Sequence, residues 1–226
     1  MARRCSRPAA PTSSRALATA LMVALLVGCA LRANPADDPD RRAVHIDTRG
    51  CEAVSDTFGS GVVFGEVIVT VAHLVVEADT LTVSIDGGPE LPARVLAADL
   101  QRDLAAIHVD GLDVTRVETA LADQGGTGRI VDAATSGTVA YEVKRRVSLR
   151  IEDVGGSDRH SRIGYELEAA TADGDSGAGA FDQEGRLIGV VFASGEDGQT
   201  TWLTASSEIE DFLDDVRTSD VYEPCS

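Results

Sequence analysis

The sequence predicts an all-β protein: two six-stranded antiparallel β-barrels followed by a C-terminal α-helix. Three observations carry this reading. Short runs rich in β-branched and aromatic residues, with turn residues between them, recur from Gly61 to Thr204. A polar, glycine-rich stretch, Ala122 to Gly128, divides the runs into two groups of about six. Helical periodicity is absent until the C-terminal end. Many short strands in two groups favour barrels, because closing a sheet on itself removes its exposed edges.

The elements follow in order. Gly61-Val62-Val63-Phe64 and Val67-Ile68-Val69-Thr70 are joined by Gly65-Glu66, a two-residue hairpin signal. Leu81 to Ile85, Ala93 to Ala98 and Ala105 to Val109 complete the first group. The second group runs through Ile130 to Ala134, Val139 to Ile151, Tyr165 to Ala169, Gly179 to Phe181, Leu187 to Ala193 and Thr200 to Thr204. At the end Ser207-x-x-Glu210 reads as a capping box. Ile209, Phe212, Leu213 and Val216 follow on one helical face.

Upstream of the strands the chain changes character. Met1 to Arg15 is basic and free of acids, and Ala16 to Val27 is apolar. That apolar run is shorter than the ~20 residues a spanning helix needs, so residues 1–28 read as a signal peptide. Leu26-Val27-Gly28-Cys29 closes the run and resembles the bacterial lipobox, which implies a lipid anchor on Cys29 and a bacterial membrane lipoprotein. The alternative is an ordinary secretory signal cut near Ala30 or Ala33, with Cys29 incidental and the product secreted. Both readings place the mature protein outside the cytoplasm. Residues 29–50, rich in Asp, Pro, Arg and Ala, read as a flexible tether, with the folded domain over 51–226.

Charge and cysteine content narrow the function. The chain of 226 residues has a net charge of −17; without the four leader arginines, 16 basic face 37 acidic residues, or −21. Such a surface repels phosphate backbones, so nucleic acid is not an expected partner. No His or Cys cluster has metal-ligand spacing, so no metal or cofactor is expected. Cys5 lies in the leader. Cys51 and Cys225 sit at the two ends of the domain in a disulfide-permissive compartment, and a Cys51–Cys225 bridge is expected, with two free thiols as the alternative.

The chemistry rests on three blocks. Gly174-Asp175-Ser176-Gly177 offers a nucleophile, but a serine hydroxyl is inert at neutral pH without help. It needs a base, a carboxylate to orient that base, and donors for the oxyanion. Thr70-Val71-Ala72-His73 supplies a base and Asp103-Leu104-Ala105-Ala106-Ile107 a carboxylate. The order His…Asp…Ser separates this arrangement from the Asp-first and Ser-first orders of other serine hydrolases. Asp99 is a second candidate for the orienting carboxylate. His45, His108 and His160 lack such a block and read as surface or structural residues.

These blocks, with Gly59-Ser60-Gly61-Val62-Val63-Phe64 and Gly185-Arg186-Leu187-Ile188-Gly189-Val190, resemble the trypsin-like, chymotrypsin-fold serine proteases. The likeness is to the compact bacterial HtrA type without a PDZ module, and it extends over about Gly59 to Val216. It implies His73, Asp103 and Ser176 as the catalytic triad, and the backbone N–H groups of Gly174 and Ser176 as the oxyanion hole. It also implies a substrate pocket with Ala170 at its floor and two walls, one from Ala169 to Ala172 and the other from Phe192-Ala193-Ser194. No carboxylate stands at position 170, so small or medium apolar residues, not Arg or Lys, are the expected residues before the scissile bond. Protein or peptide substrates follow. The rival expectations are a pseudoprotease that binds without cleaving and an esterase using the same triad.

Overall fold

A computed structural model describes residues 38–51, 55–85, 87–112, 116–134, 137–152 and 159–216. Residues 1–28, read above as a signal peptide, and Cys29 and Cys225 lie outside the described residues. Among the described residues, twelve strands form two closed six-stranded antiparallel barrels, followed by an α-helix. The first barrel holds β1 (Ala43–Gly50), β2 (Thr57–Phe64), β3 (Val67–Thr70), β4 (Ala78–Ile85), β5 (Leu91–Asp99) and β6 (Leu104–Val109). The second holds β7 (Thr127–Asp132), β8 (Gly137–Glu152), β9 (Arg159–Glu168), β10 (Gly179–Asp182), β11 (Leu187–Ser194) and β12 (Thr200–Ala205). Helix α1 spans Ser206–Val216. Both barrels use the same ring order: β1-β2-β3-β6-β5-β4 in the first, β10-β11-β12-β9-β8-β7 in the second. No helix of the described residues is long and apolar enough to cross a membrane.

Period-two burial builds each barrel. Val44, Ile46, Val63, Ile68, Val83, Val95 and Ile107 fill the first. Ile130, Tyr141, Tyr165, Leu167, Ile188 and Leu203 fill the second. A third cluster joins the two. Val62, Phe64 and Leu104 of the first barrel pack with Phe181, Leu187 and Val190 of the second, and Ile209 and Phe212 of α1 seal it. The β2–β3 hairpin turns on Gly65, whose φ of 73° suits a glycine.

Two expectations need correction. Residues 43–50 are not tether. They form β1, which pairs with β2 and β4 and closes the first barrel. Alternate residues Val44, Ile46 and Thr48 are buried, but Arg49, Asp47 and His45 between them masked the period. The capping box is also absent. The helix begins at Ser206, so Ser207 lies inside it. Ser206 Oγ donates to the Ala120 carbonyl, and Glu210 accepts from Thr119 Oγ1 at 2.7 Å. Tertiary partners took the polar groups that a local motif would have used.

Candidate active site

The first barrel presents a base and a carboxylate at the ends of buried strands. β3 runs out through Val71 into a single 3-10 turn, Ala72–Leu74, with His73 at its centre. Val71, Ala72 and Leu74 are buried while the His73 ring reaches solvent, so apolar packing fixes the turn beneath the ring. Asp103 precedes β6 in left-handed backbone, at φ 52°. Aspartate is among the few side chains that tolerate this region. Its carboxylate, 7 % exposed, accepts from the His73 backbone N–H at 2.9 Å. His73 Nδ1 lies 2.9 Å from Oδ2 and 3.1 Å from Oδ1. One carboxylate therefore fixes both the main chain and the ring of the same residue.

Asp99 has different work. It accepts from the backbone N–H groups of Gln101 and Arg102, both at 2.9 Å, and pairs with the Arg102 guanidinium at 2.6 Å. It caps the turn that delivers Asp103.

The second barrel presents Ser176, in the loop between β9 and β10. Ser176 Oγ lies 3.3 Å from His73 Nε2. The loop docks on the first barrel through Ser60, whose N–H donates to the Ser176 carbonyl at 2.8 Å. Gly177 sits at φ 85°, and a Cβ there would collide with the Ser60 carbonyl oxygen and Thr70 Oγ1. Gly174 sits at φ 98°, with a built Cβ only 2.7 Å from the Phe58 ring. Neither position admits a side chain. Asp175, Gly177 and Ala178 spend their amides on Ala172, Val191 and Asp175 carbonyls. Among the described residues, the amides of Gly174 and Ser176 have no such acceptor.

Behind Ser176 lies a buried polar layer. The Asp175 carboxyl accepts from the Ala172 N–H at 2.7 Å. Burial pushes its pKa up, and a hydrogen bond and repulsion from the nearby Asp132 carboxylate add to the rise. Asp132 also receives Ser60 Oγ and the Ala134 N–H, the latter at 2.9 Å. The Asp175 carboxyl is therefore held protonated more readily than an exposed one.

The two predicted pocket walls meet in this barrel. Ala170 is exposed, whereas its neighbour Thr171 is buried. Thr171 Oγ1 lies 2.6 Å from Ser194 Oγ and 2.7 Å from Thr201 Oγ1. Thr201 Oγ1 donates to the Ala169 carbonyl at 3.0 Å. Each hydroxyl has one proton, so the chain runs from Ser194 to Thr171 to Thr201 to that carbonyl. Phe192 and Ala193 are half-buried on the β11 side. Motif matching did not single out Thr201, Asp132 or Arg162, because each lies in a strand without a local signature.

Residues 59–190 match the family described as the trypsin-like peptidase domain. The chain belongs to this family. It is 33 % identical over 142 residues to a protein from Brucella suis biovar 1 (strain 1330) described as a probable periplasmic serine endoprotease DegP-like. That match covers 58 % of this chain and 26 % of the relative. A "Serine protease HtrA-like" protein from Staphylococcus aureus (strain USA300) is 25 % identical over 159 residues, covering 63 % and 21 %. The chain thus spans about a quarter of the length of these relatives. Among solved structures, the Rv3671c protease from M. tuberculosis in its active form matches with a TM-score of 0.75 at 21 % identity, covering 100 % of this chain and 97 % of that one. The serine endoprotease from Yersinia pestis gives 0.64 at 16 % identity, covering 80 % and 65 %. These two likenesses establish the shared trypsin-like fold.

Proposed function

We propose that this trypsin-like domain is an active serine endopeptidase with His73, Asp103 and Ser176 as its triad. One observation carries the reading: the continuous relay from Ser176 Oγ through the His73 ring to the Asp103 carboxylate. In this mechanism Ser176 Oγ attacks the scissile carbonyl while His73 Nε2 takes its proton. Asp103 holds Nδ1–H and stabilises the imidazolium. His73 then passes the proton to the leaving amine, and water repeats the sequence on the acyl-enzyme. The free amides of Gly174 and Ser176 receive the oxyanion. The test is labelling with a fluorophosphonate probe: Ser176 is modified in the parent and not in Ser176→Ala. A folded parent that resists the probe identifies a pseudoprotease instead. Cleavage of small esters but not of casein identifies an esterase.

The hydroxyl bridge between Thr171 and Ser194 joins the two walls of the pocket and supports a shallow site. Small residues such as alanine are then favoured before the scissile bond. A peptide library cut mainly after Arg, Lys or large aromatics overturns this preference. The leader supports an extracytoplasmic location with a lipid anchor on Cys29. A Cys29→Ala variant that still incorporates a lipid label contradicts the anchor. A Cys51–Cys225 bridge belongs to the same reading, and two alkylatable thiols in the unreduced mature protein contradict it.

A further inference from the structure

Arg162 is the least expected residue near this site. It lies on β9, is 2 % exposed, and is among the largest fully buried side chains. Its Nη1 donates to the Arg102 carbonyl, one residue before Asp103. Its Nη2 lies 3.8 Å from Asp103 Oδ2. Its guanidinium carbon lies over the Phe192 ring, 4.2 Å from the centroid. Nε and Nη2 make no hydrogen bond among the described residues.

That inventory is poor for a group kept only for stability. Burying a cation costs several kcal/mol, and an apolar residue of similar volume often does as well. A buried donor without a partner adds to the cost. What the guanidinium gains is a charge beside Asp103 that no apolar replacement supplies. We propose that Arg162 is a positioning residue for the triad: it grips the Arg102–Asp103 segment from the second barrel and sets the charge against which His73 acts as a base. The inference rests on the triad reading above.

The electrostatic sense follows from the charges present. Asp103 Oδ2 is approached by both His73 Nδ1 and Arg162 Nη2. Asp99 and Glu208 are further carboxylates acting on Arg162, and Arg102, which binds Asp99, Glu208 and Asp215, adds a cation. Burial makes the Arg162 charge harder to hold, while Asp103, first among the carboxylates, offsets that. Arginine stays protonated throughout the working range. Its charge, close to the carboxylate that holds the ring, opposes a second positive charge on His73. Phe192 links this contact to the predicted pocket wall.

The experiment uses Arg162→Met and Arg162→Gln, which remove the charge, and Arg162→Lys, which keeps it. Gln can still donate to the Arg102 carbonyl, so it covers the case in which Met does not fold. The His73 ring is titrated by NMR in the Ser176→Ala background, with His45 and His108 as references in the same spectra. The expected result is a His73 midpoint about one pH unit higher without the charge, and little moved in the Lys variant. With Ser176 present, the acid limb of kcat/KM moves with it. Activity falls about tenfold on the acid side and less than about threefold on the alkaline plateau. An unmoved His73 midpoint in folded Met or Gln variants overturns the proposal, as does a Lys variant that shifts as far as they do. The ring titration needs no turnover, so a parent that resists the fluorophosphonate probe strikes the triad reading alone.

Discussion

The two barrels hold their parts of the site by different physics. In the first, His73 and Asp103 stand on short turns whose flanks are apolar and buried: Val71, Ala72 and Leu74 on one side, Leu104 and Ala105 on the other. One carboxylate then joins the two turns. In the second, Ser176 stands in a loop backed by polar groups: Asp175 against Asp132, and Thr171 against Thr201 and Ser194. That loop also needs left-handed backbone at Gly174 and Gly177. Apolar packing is indifferent to pH, whereas a carboxyl pair is not. The turns that carry His73 and Asp103 are therefore held mainly by shape, and the loop that carries Ser176 by a polar network that responds to conditions.

Four variants probe this contrast. Asp103→Asn should have the largest effect. The neutral amide keeps one acceptor oxygen but sets an NH2 donor against His73. That favours the wrong ring tautomer and no longer stabilises the imidazolium, and kcat falls by about 10⁴. Stopped-flow or progress-curve kinetics at saturating substrate check this, and a fall below about tenfold breaks the assignment. Gly177→Ala should come next, because φ 85° and the Ser60 carbonyl both exclude a Cβ. Roughly 3 kcal/mol of stability is lost, read by urea denaturation, and Ser176 no longer takes the probe.

Asp132→Asn tests the polar layer. The folded Asp175 carboxyl holds its proton more tightly than the ordinary value of 3.8, first because it is buried and then because of Asp132. The native state therefore binds more protons than the unfolded chain above about pH 4. Its contribution to stability is full at acid pH and is lost as pH rises through the raised value. The substituted amide keeps an acceptor oxygen for Ser60 and Ala134 and removes one of the two charges. The variant should match the parent near pH 4 and exceed it by about 1 kcal/mol at pH 7 in urea titrations. A constant difference at both pH values contradicts this role for Asp132. Ile107→Val, in the core of the first barrel, should have the smallest effect that is still measurable. It costs about 1 kcal/mol, equally at both pH values. A pH-dependent cost there erases the contrast between the barrels.

Much of this was legible in the residues. The β2–β3 hairpin was visible because Gly65-Glu66 separates two apolar runs. Strands β6 and β11 were visible because Ala105–Val109 and Leu187–Ala193 are continuous β-rich runs. β1 was not, because Asp47 and Arg49 interrupt the composition even though Val44, Ile46 and Thr48 keep the period. Ser207-x-x-Glu210 misled, because Thr119 offered Glu210 a better partner than the helix's own start. Local patterns are read well where local interactions win and fail where a distant group outbids them.

The sequence by itself determined the second barrel, five strands of the first, and the three blocks around His73, Asp103 and Ser176. Strand alternation is a local property, and each block is short enough to be read whole. Only the tertiary structure decided what surrounds them. Arg162 meets Asp103 across 59 positions of chain, Ser60 meets Asp132 across 72, and Thr171 meets Ser194 across 23. No period or motif links residues so far apart. Barrel closure brings them together, and burial then makes each polar group depend on the partner it finds.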